Sequence, residues 1–180
     1  GHMLLDDILT FTENDPTAAE LDEMARYSEE LMPGLMTFVR NRATTMPIPN
    51  NGTYNHLDAV VNQYLALNGD VEEYAINEAA AAKTLNVNII NGLNIADGGN
   101  GSSGQPGWRE GFYAMTAKEI EEYSKALLSG PTLNIFLMWE YDGEERWSDG
   151  TIGSDYFNQP EFEEVISKIC TLPSLSFGAL

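Results

Sequence analysis

The stretch from Leu57 to Ile95 decides the fold, and it reads LDAVVNQYLALNGDVEEYAINEAAAAKTLNVNIINGLNI. An apolar run of strand length lies at each end, and an alanine-rich segment lies between them. Asp70 with Glu73 has the spacing of a helix start, so the alanine-rich segment is predicted to be helical. Apolar runs that hardly alternate are typical of strands buried on both faces. The stretch therefore predicts a strand, a helix and a second strand parallel to the first.

The same alternation continues on both sides of this stretch. The predicted strands are four apolar runs: Leu35 to Val39, Leu57 to Tyr64, Val87 to Ile95 and Leu133 to Tyr141. Further helix starts are a capping box or a first-turn proline, at Thr17 with Glu20, at Thr116 with Glu119 and at Pro160. Apolar residues follow each start at helical spacing: Leu21, Met24, Tyr27 and Leu31, then Ile120, Tyr123, Leu127 and Leu128, then Phe162, Val165, Ile166 and Ile169. The last two sets are predicted to face the core.

The predicted fold class is α/β, with parallel β/α units, about four strands, and the architecture of half a TIM-type barrel. A complete barrel needs eight strands and typically about 250 residues, so a chain of this length supplies about half of one. The open edges of such a half are expected to be covered by self-association into a homo-oligomer. The alternative is an open sheet with helices on both faces. Residues 1–3 are interpreted as a cloning scar and residues 4–180 as a single domain, in which Leu4 to Phe11 is a helix or the tail of a missing unit.

Composition excludes several partners. The 180 residues include 28 acidic and 9 basic ones, a net charge of −19 that repels nucleic acid and anionic membrane surfaces. No apolar stretch is long enough for a membrane helix. Cys170 is the only cysteine, so an intrachain disulfide is excluded, and this favours a cytoplasmic location. The apolar helical residues around Cys170 predict that it is an inert core residue. No pattern predicts a metal ion or a cofactor, since residues 142–155 resemble a calcium loop in composition but miss the EF-hand spacing.

The connections after the predicted strands are long, and those before them are short. The three long ones are residues 41–55, 97–115 and 142–159. In β/α barrels the functional loops lie at this carboxyl-terminal end of the strands. The loop lengths therefore indicate where a site should lie.

Polar residues gather at these strand ends, in positions where an unpaired buried amide costs about 1–3 kcal/mol. They form either a satisfied polar network or a ligand site that shares it. The predicted substrate-binding residues are Arg40, Asn62, Tyr64, Asn91, Asn94, Trp139 and Asp142. Of these, Arg40, Asn62, Asn91 and Asn94 are expected to converge with Glu140 in one polar cluster.

Asp97 and Glu140 are the carboxylates best placed for catalysis. Cleavage of a glycosidic bond needs two carboxylates, about 5–5.5 Å or 6.5–9.5 Å apart, and the ends of neighbouring strands can meet that spacing. The alternative for Glu140 is an ion pair with an arginine, such as Arg40, Arg42 or Arg146.

Aromatic residues concentrate in the last two long loops. They are Trp108, Tyr113, Trp139, Tyr141, Trp147 and Tyr156. Aromatic faces beside amides and carboxylates suit sugar rings, although the same residues could simply pack the loops onto the strand ends. The glycine-rich run from Asp97 to Gly104 matches neither phosphate-binding glycine motif, and a conformationally demanding loop is the preferred interpretation.

Four segments together resemble the last four strands of a glycoside-hydrolase-like β/α barrel. They are Leu35-Met-Thr-Phe-Val-Arg40, Ala59-Val-Val-Asn-Gln-Tyr64, Ile89-Ile-Asn-Gly-Leu-Asn94 and Phe136-Leu-Met-Trp-Glu140. The resemblance implies a sugar-binding or hydrolytic site at the strand ends, with a small carbohydrate or polyol as the ligand. The chain departs from the common pattern of these hydrolases near Asn94, where it offers Asp97 and no glutamate. The alternative is a non-catalytic ligand-binding or scaffold half-barrel that works by self-association or with a partner chain. Enzymatic activity is left open, and would be glycoside hydrolysis.

Overall fold

The computed structural model describes residues 1–5, 15–130, 136–139 and 147–171. In chain order the elements are β1 His2–Leu5, α1 Ala18–Leu31, β2 Thr37–Arg40, β3 Ala59–Tyr64, α2 Val71–Leu85, β4 Asn88–Asn94, α3 Ala117–Ser129, β5 Phe136–Trp139, α4 Gly153–Phe157 and α5 Pro160–Cys170. Two single-turn 3-10 helices, Ala43–Thr45 and Ala66–Asn68, lie in the connections after β2 and β3. Within these described ranges, no helix is long and apolar enough to cross a membrane.

The four predicted helices, α1, α2, α3 and α5, begin where the sequence predicts, and α4 was not predicted. The Thr17 hydroxyl accepts from the backbone N–H of Glu20, whose carboxylate accepts from the backbone N–H of Thr17. Thr116 and Glu119 make the same reciprocal pair at the start of α3. At α2, the Asp70 carboxylate accepts from the second and third backbone N–H groups. Each side chain pairs backbone groups that the first helical turn leaves without partners, which sets the boundary locally.

The fold is α/β, with an all-parallel sheet whose strands alternate with helices. The strand order is β1-β2-β3-β4-β5. β3, β4 and β5 lie inside the predicted apolar runs, and β2 begins inside the first run and extends one residue beyond it, to Arg40. The register pairs Val39 with Val60 and Arg40 with Val61. The additional strand is β1, which pairs in parallel with β2. It includes His2 and Met3, which the sequence interpretation set aside; of Leu4 to Phe11, Leu4 and Leu5 belong to this strand, and the remainder lies outside the described residues.

The chain forms two compact units. The first includes Gly1–Asn62 and Ile76–Asn91. Its main core packs Val39, Val60 and Ile89 from the strands against residues from α1 and α2, namely Leu21, Ala25, Ala82 and Leu85. Ala59, Val61 and Ile90 form a separate cluster with Met36 and Phe38 on the other sheet face. Both faces of these strands are therefore buried, as their continuous apolar runs predict.

The second unit includes Gln63–Ala75, Gly92–Gly130 and the described residues from Phe136 onward. Its core joins strand residues such as Leu93 with Ile120 and Leu127 of α3 and Phe162 and Val165 of α5. Trp147 and Phe157 belong to the same core, and their rings meet edge to face at 5.6 Å between centroids. Aromatic burial of this kind fixes the segment that follows residue 146 on the body of the unit.

The burial of individual helix residues corrects two expectations on α5. On α1, for which no inward-facing set was predicted, Leu21 is buried and Met24, Tyr27 and Leu31 are exposed, because Ala25 and Ser28 occupy the buried face. On α5, Ile166 was expected to face inward and is 39% exposed. Cys170 was expected in the core and is exposed instead, because Ile169 takes the last buried position of α5.

Candidate functional site

The connection between β4 and α3 is organised by one buried carboxylate. Asp97 follows β4, and its backbone N–H donates to the Asn94 side-chain oxygen at 2.9 Å. Its Oδ1 accepts from the backbone N–H of Arg109 at 2.9 Å, and its Oδ2 accepts from Arg109 Nε at 2.7 Å. The Asp97 side chain is fully buried. This carboxylate therefore holds Arg109, twelve residues further along the loop, against the end of β4.

A glycine allows the loop to approach Asp97 this closely. A Cβ atom placed on Gly107 would lie 2.4 Å from Asp97 Oδ1 and 2.5 Å from the Ala96 carbonyl oxygen. The Ala96 oxygen is a backbone atom, and the Asp97 carboxylate is buried and held by Arg109, so neither atom can move aside without breaking these contacts. The loop path thus requires glycine at this position.

The loop then folds back as a narrow antiparallel turn. The backbone N–H of Gly107 donates to the Phe112 carbonyl at 2.9 Å, and Pro106 forms a bridge with Tyr113. The Arg109 guanidinium lies over the Phe112 ring, 4.1 Å from its centroid. A cation held over an aromatic face is attracted to it, so Arg109 links Asp97 and Phe112. These contacts fix the backbone that carries Trp108 and Tyr113.

A second turn, residues 147–151, lies beside the first. The buried Trp147 anchors it, and the backbone N–H and hydroxyl of Ser148 both donate to the Gly107 carbonyl, at 3.2 and 3.0 Å. The Gln105 amide donates to Asp149 Oδ2 at 2.9 Å. The two turns are thus joined by direct hydrogen bonds.

An open groove of about 720 Å³ lies between these turns. Its lining is aromatic and acidic: Pro106, Trp108, Glu110, Gly111, Phe112, Tyr113, Ser148 and Asp149. Trp108 and Tyr113 are each 42% exposed, although both are large amphipathic rings. Exposed aromatic side chains on a rigid, concave surface are typical of a ligand site.

Asp149 is ionised at neutral pH. The backbone N–H of Thr151 donates to its carboxylate at 2.9 Å, and the Thr151 hydroxyl and the Gln105 amide add further donors. These bonds hold the pKa of Asp149 below its ordinary value, because they stabilise the charged form. The groove therefore has a fixed negative charge on one wall.

Two of the predicted site residues meet in the first unit. Asn62 donates to the Asn91 side-chain oxygen at 2.7 Å, and both side chains are buried. Side chains alternate along a strand, so Asn62 shares the face of Val60, and Asn91 that of Ile89. That face is the one packed against α1 and α2. The pair therefore lies on the helix-covered side of the sheet, as a satisfied polar network.

Arg40 does not join this pair. It lies beside Val61 in the register, on the face opposite Val60 and Asn62. The expectation that Arg40 and Asn62 converge in one cluster is therefore wrong, because the strand alternation directs them to different layers. Arg42, the other arginine after β2, pairs through Nε with the fully buried Glu78 of α2 at 2.9 Å.

The remaining predicted residues fall in the second unit or outside the described residues. Asn94 lies next to Asp97, as described above. The Tyr64 hydroxyl donates to the Gly69 carbonyl at 2.6 Å, its ring packs edge to face on Tyr74 and Tyr123, and burial raises its pKa to about 12. Tyr64 is therefore a core residue. Trp139 ends β5, and Glu140 and Asp142 lie outside the described residues.

The sequence interpretation missed Glu110 and Arg109. The signal was present in the segment Pro106-Gly-Trp-Arg-Glu-Gly-Phe-Tyr113, which places aromatic and charged residues among three turn-forming residues, one proline and two glycines. Trp108 and Tyr113 were recognised as aromatic candidates, and the structure brings them to one groove.

Comparisons of the chain with protein-family models, with curated proteins and with solved structures found no match.

Proposed function

We propose that the chain is a carbohydrate-active domain that binds a sugar in the groove between residues 106–113 and 148–149. The observation that carries the proposal is the exposure of Trp108 and Tyr113 on one rigid groove. A soluble protein seldom leaves two large rings together in water unless they contact a partner. The rings would stack on the C–H face of a sugar.

The polar groups of the groove complement that stacking. Glu110 and Asp149 offer carboxylate oxygens, which accept hydrogen bonds from sugar hydroxyls. Hydrogen bonds to charged groups contribute about 1.5–3 kcal/mol when both partners are well placed. A sugar thus finds an apolar platform and acceptors within the same site.

Binding is better supported than hydrolysis. Asp97, the predicted catalytic partner of Glu140, has both oxygens bonded to Arg109 and is buried beneath the loop. This arrangement favours a role in holding the groove over a role in proton transfer to substrate. The proposal therefore follows the non-catalytic alternative for this site, with a sugar as the ligand.

Calorimetric titration with a panel of soluble oligosaccharides tests the proposal. Wild-type protein should bind at least one of them, and Trp108→Ala or Tyr113→Ala should weaken binding about fivefold or more, because a stacked ring contributes about 1 kcal/mol beyond its area. Tyr27→Ala is the matched control, since Tyr27 is an exposed aromatic residue on α1 of the other unit and does not line the groove. Absence of binding across the panel would refute the proposal. Wild-type affinity in both Trp108→Ala and Tyr113→Ala would refute it as well.

A further inference from the structure

The charge of the groove suggests which sugars it selects. Among the described residues that line the groove, Glu110 and Asp149 carry charged side chains, and none is a lysine or an arginine. Both carboxylates are exposed to solvent. The groove therefore presents negative charge to a ligand stacked on Trp108 and Tyr113.

The neighbouring arginine does not neutralise these carboxylates. Arg109 bonds to Asp97 through Nε at 2.7 Å and lies over the Phe112 ring. Its charge is thus balanced by Asp97, which is not part of the groove lining. The two groove carboxylates remain without a cation in the described part of the chain.

The two carboxylates differ in their partners. Asp149 accepts from Thr151 and Gln105, which keep it charged and fixed in position. Glu110 accepts no hydrogen bond from any described residue and forms no ion pair with one. Glu110 is therefore available to a ligand without losing an existing bond.

We propose that the groove selects amino sugars, that is, saccharides with a protonated amine, over their neutral counterparts. The inference rests on the proposed sugar site and adds the class of sugar. An ammonium group beside Glu110 or Asp149 gains an ion pair, which a hydroxyl at the same position cannot make. The faces of Trp108 and Tyr113 attract the same cation, because the aromatic quadrupole is negative above the ring.

The ligand comparison uses three oligomers of matched length and β-1,4 linkage. They are a fully deacetylated glucosamine oligomer, its N-acetylated form and the corresponding glucose oligomer, titrated into the full chain at a pH that protonates the amine. We expect the glucosamine oligomer to bind about tenfold more tightly than the other two, as expected for one or two exposed ion pairs. Added salt should reduce this preference, because exposed charges are screened.

Charge-removing substitutions identify the source of the preference. Glu110→Gln and Asp149→Asn keep the side-chain shape, and each should reduce the ratio of glucosamine-oligomer affinity to glucose-oligomer affinity about threefold, because an amide cannot form the ion pair with the amine. Asp155→Asn is the control, because Asp155 is an exposed carboxylate of the same unit that does not line the groove. It should leave the preference unchanged.

The outcomes separate the inference from the function it rests on. Equal affinity for the three oligomers would overturn amino-sugar selection and leave sugar binding intact. A preference that both groove substitutions leave unchanged would also overturn it, since its cause would lie elsewhere. Failure of all three oligomers, together with failure of the wider panel, would overturn the sugar site itself.

Discussion

At the scale of single residues, Asp97 shows how one carboxylate positions a whole surface. Its two oxygens bond the backbone and the side chain of Arg109, and Arg109 in turn covers Phe112. A carboxylate buried without donors would be costly, so the loop supplies them. The groove between the two turns is therefore a consequence of satisfying a buried charge.

Asp97→Asn should destabilise the protein by about 2 kcal/mol in urea unfolding at neutral pH. Breaking a buried ion pair typically costs about 3–5 kcal/mol. Breaking the Asp97–Arg109 pair should cost less, because the Arg109 side chain is 47% exposed and solvent screens its charge. Asp155→Asn, at an exposed site, should change the free energy of unfolding by less than about 0.5 kcal/mol.

The same variant separates a structural from a catalytic role for Asp97. If the wild-type protein hydrolysed chromogenic glycosides, and Asp97→Asn removed that activity without any loss of stability, the structural role would be wrong. Glu140→Gln belongs in the same assay, since Glu140 is the predicted partner in catalysis.

At the scale of elements, α1 is joined to the start of β3 by Asp22. Its Oδ1 accepts from the backbone N–H groups of Asn55 and His56 at 2.9 and 2.8 Å, and from that of Leu57 at 3.3 Å. Burial raises the pKa of Asp22, but the hydrogen bonds outweigh it, so the pKa lies below the ordinary value of 3.8. A carboxylate on α1 thus caps the backbone N–H groups of the loop that precedes β3.

Asp22→Asn should lower the free energy of unfolding by about 1 kcal/mol at neutral pH, since a neutral amide accepts these bonds less strongly. A depressed pKa stabilises the fold above the unfolded-state value, and this contribution disappears as the pH falls through the folded-state pKa. The difference between variant and wild type should therefore shrink below pH 3.8. Urea unfolding at a series of pH values measures it.

For Asp22, Glu72→Gln is the matched control. Glu72 is an exposed acid on α2, and its effect should stay small at every pH. A difference between Asp22→Asn and wild type that grew with acidification would contradict the assignment.

At the scale of the whole molecule, β1 and β5 stand at the two ends of the strand order among the described residues. A strand at the edge of a sheet presents backbone N–H and carbonyl groups to a further strand. The half-barrel interpretation predicts that a second copy covers such edges, whereas an open α/β sheet could remain a monomer. The net charge of −19 opposes association of two copies at low ionic strength.

Light scattering over a concentration series tests self-association. We expect a mass above that of one chain, 19.9 kDa, with the larger species favoured by added salt because salt screens the repulsion between acidic surfaces. A mass of one chain at every concentration and salt level would contradict the half-barrel homo-oligomer and favour the open sheet.

The sequence by itself determined α1, α2, α3 and α5, the strands β2 to β5 and their alternation, whereas β1 and α4 were not predicted. Thr17 with Glu20 and Thr116 with Glu119 specify helix starts within four residues, and the apolar runs around Val60 and Ile89 specify strands buried on both faces. These features depend on backbone groups and neighbours close in the chain, which a sequence displays directly.

Only the tertiary structure decided which side chains meet. Asp97 pairs with Arg109 and Glu78 with Arg42, which are 12 and 36 residues apart in the chain. Among 28 acids, composition gives no rule that selects these two. Burial of Ala25 instead of Met24, and of Ile169 instead of Cys170, likewise depends on which helix face packs against the sheet. The groove could not be predicted from the sequence for the same reason. It exists because hydrogen bonds join two turns that lie about forty residues apart in the chain.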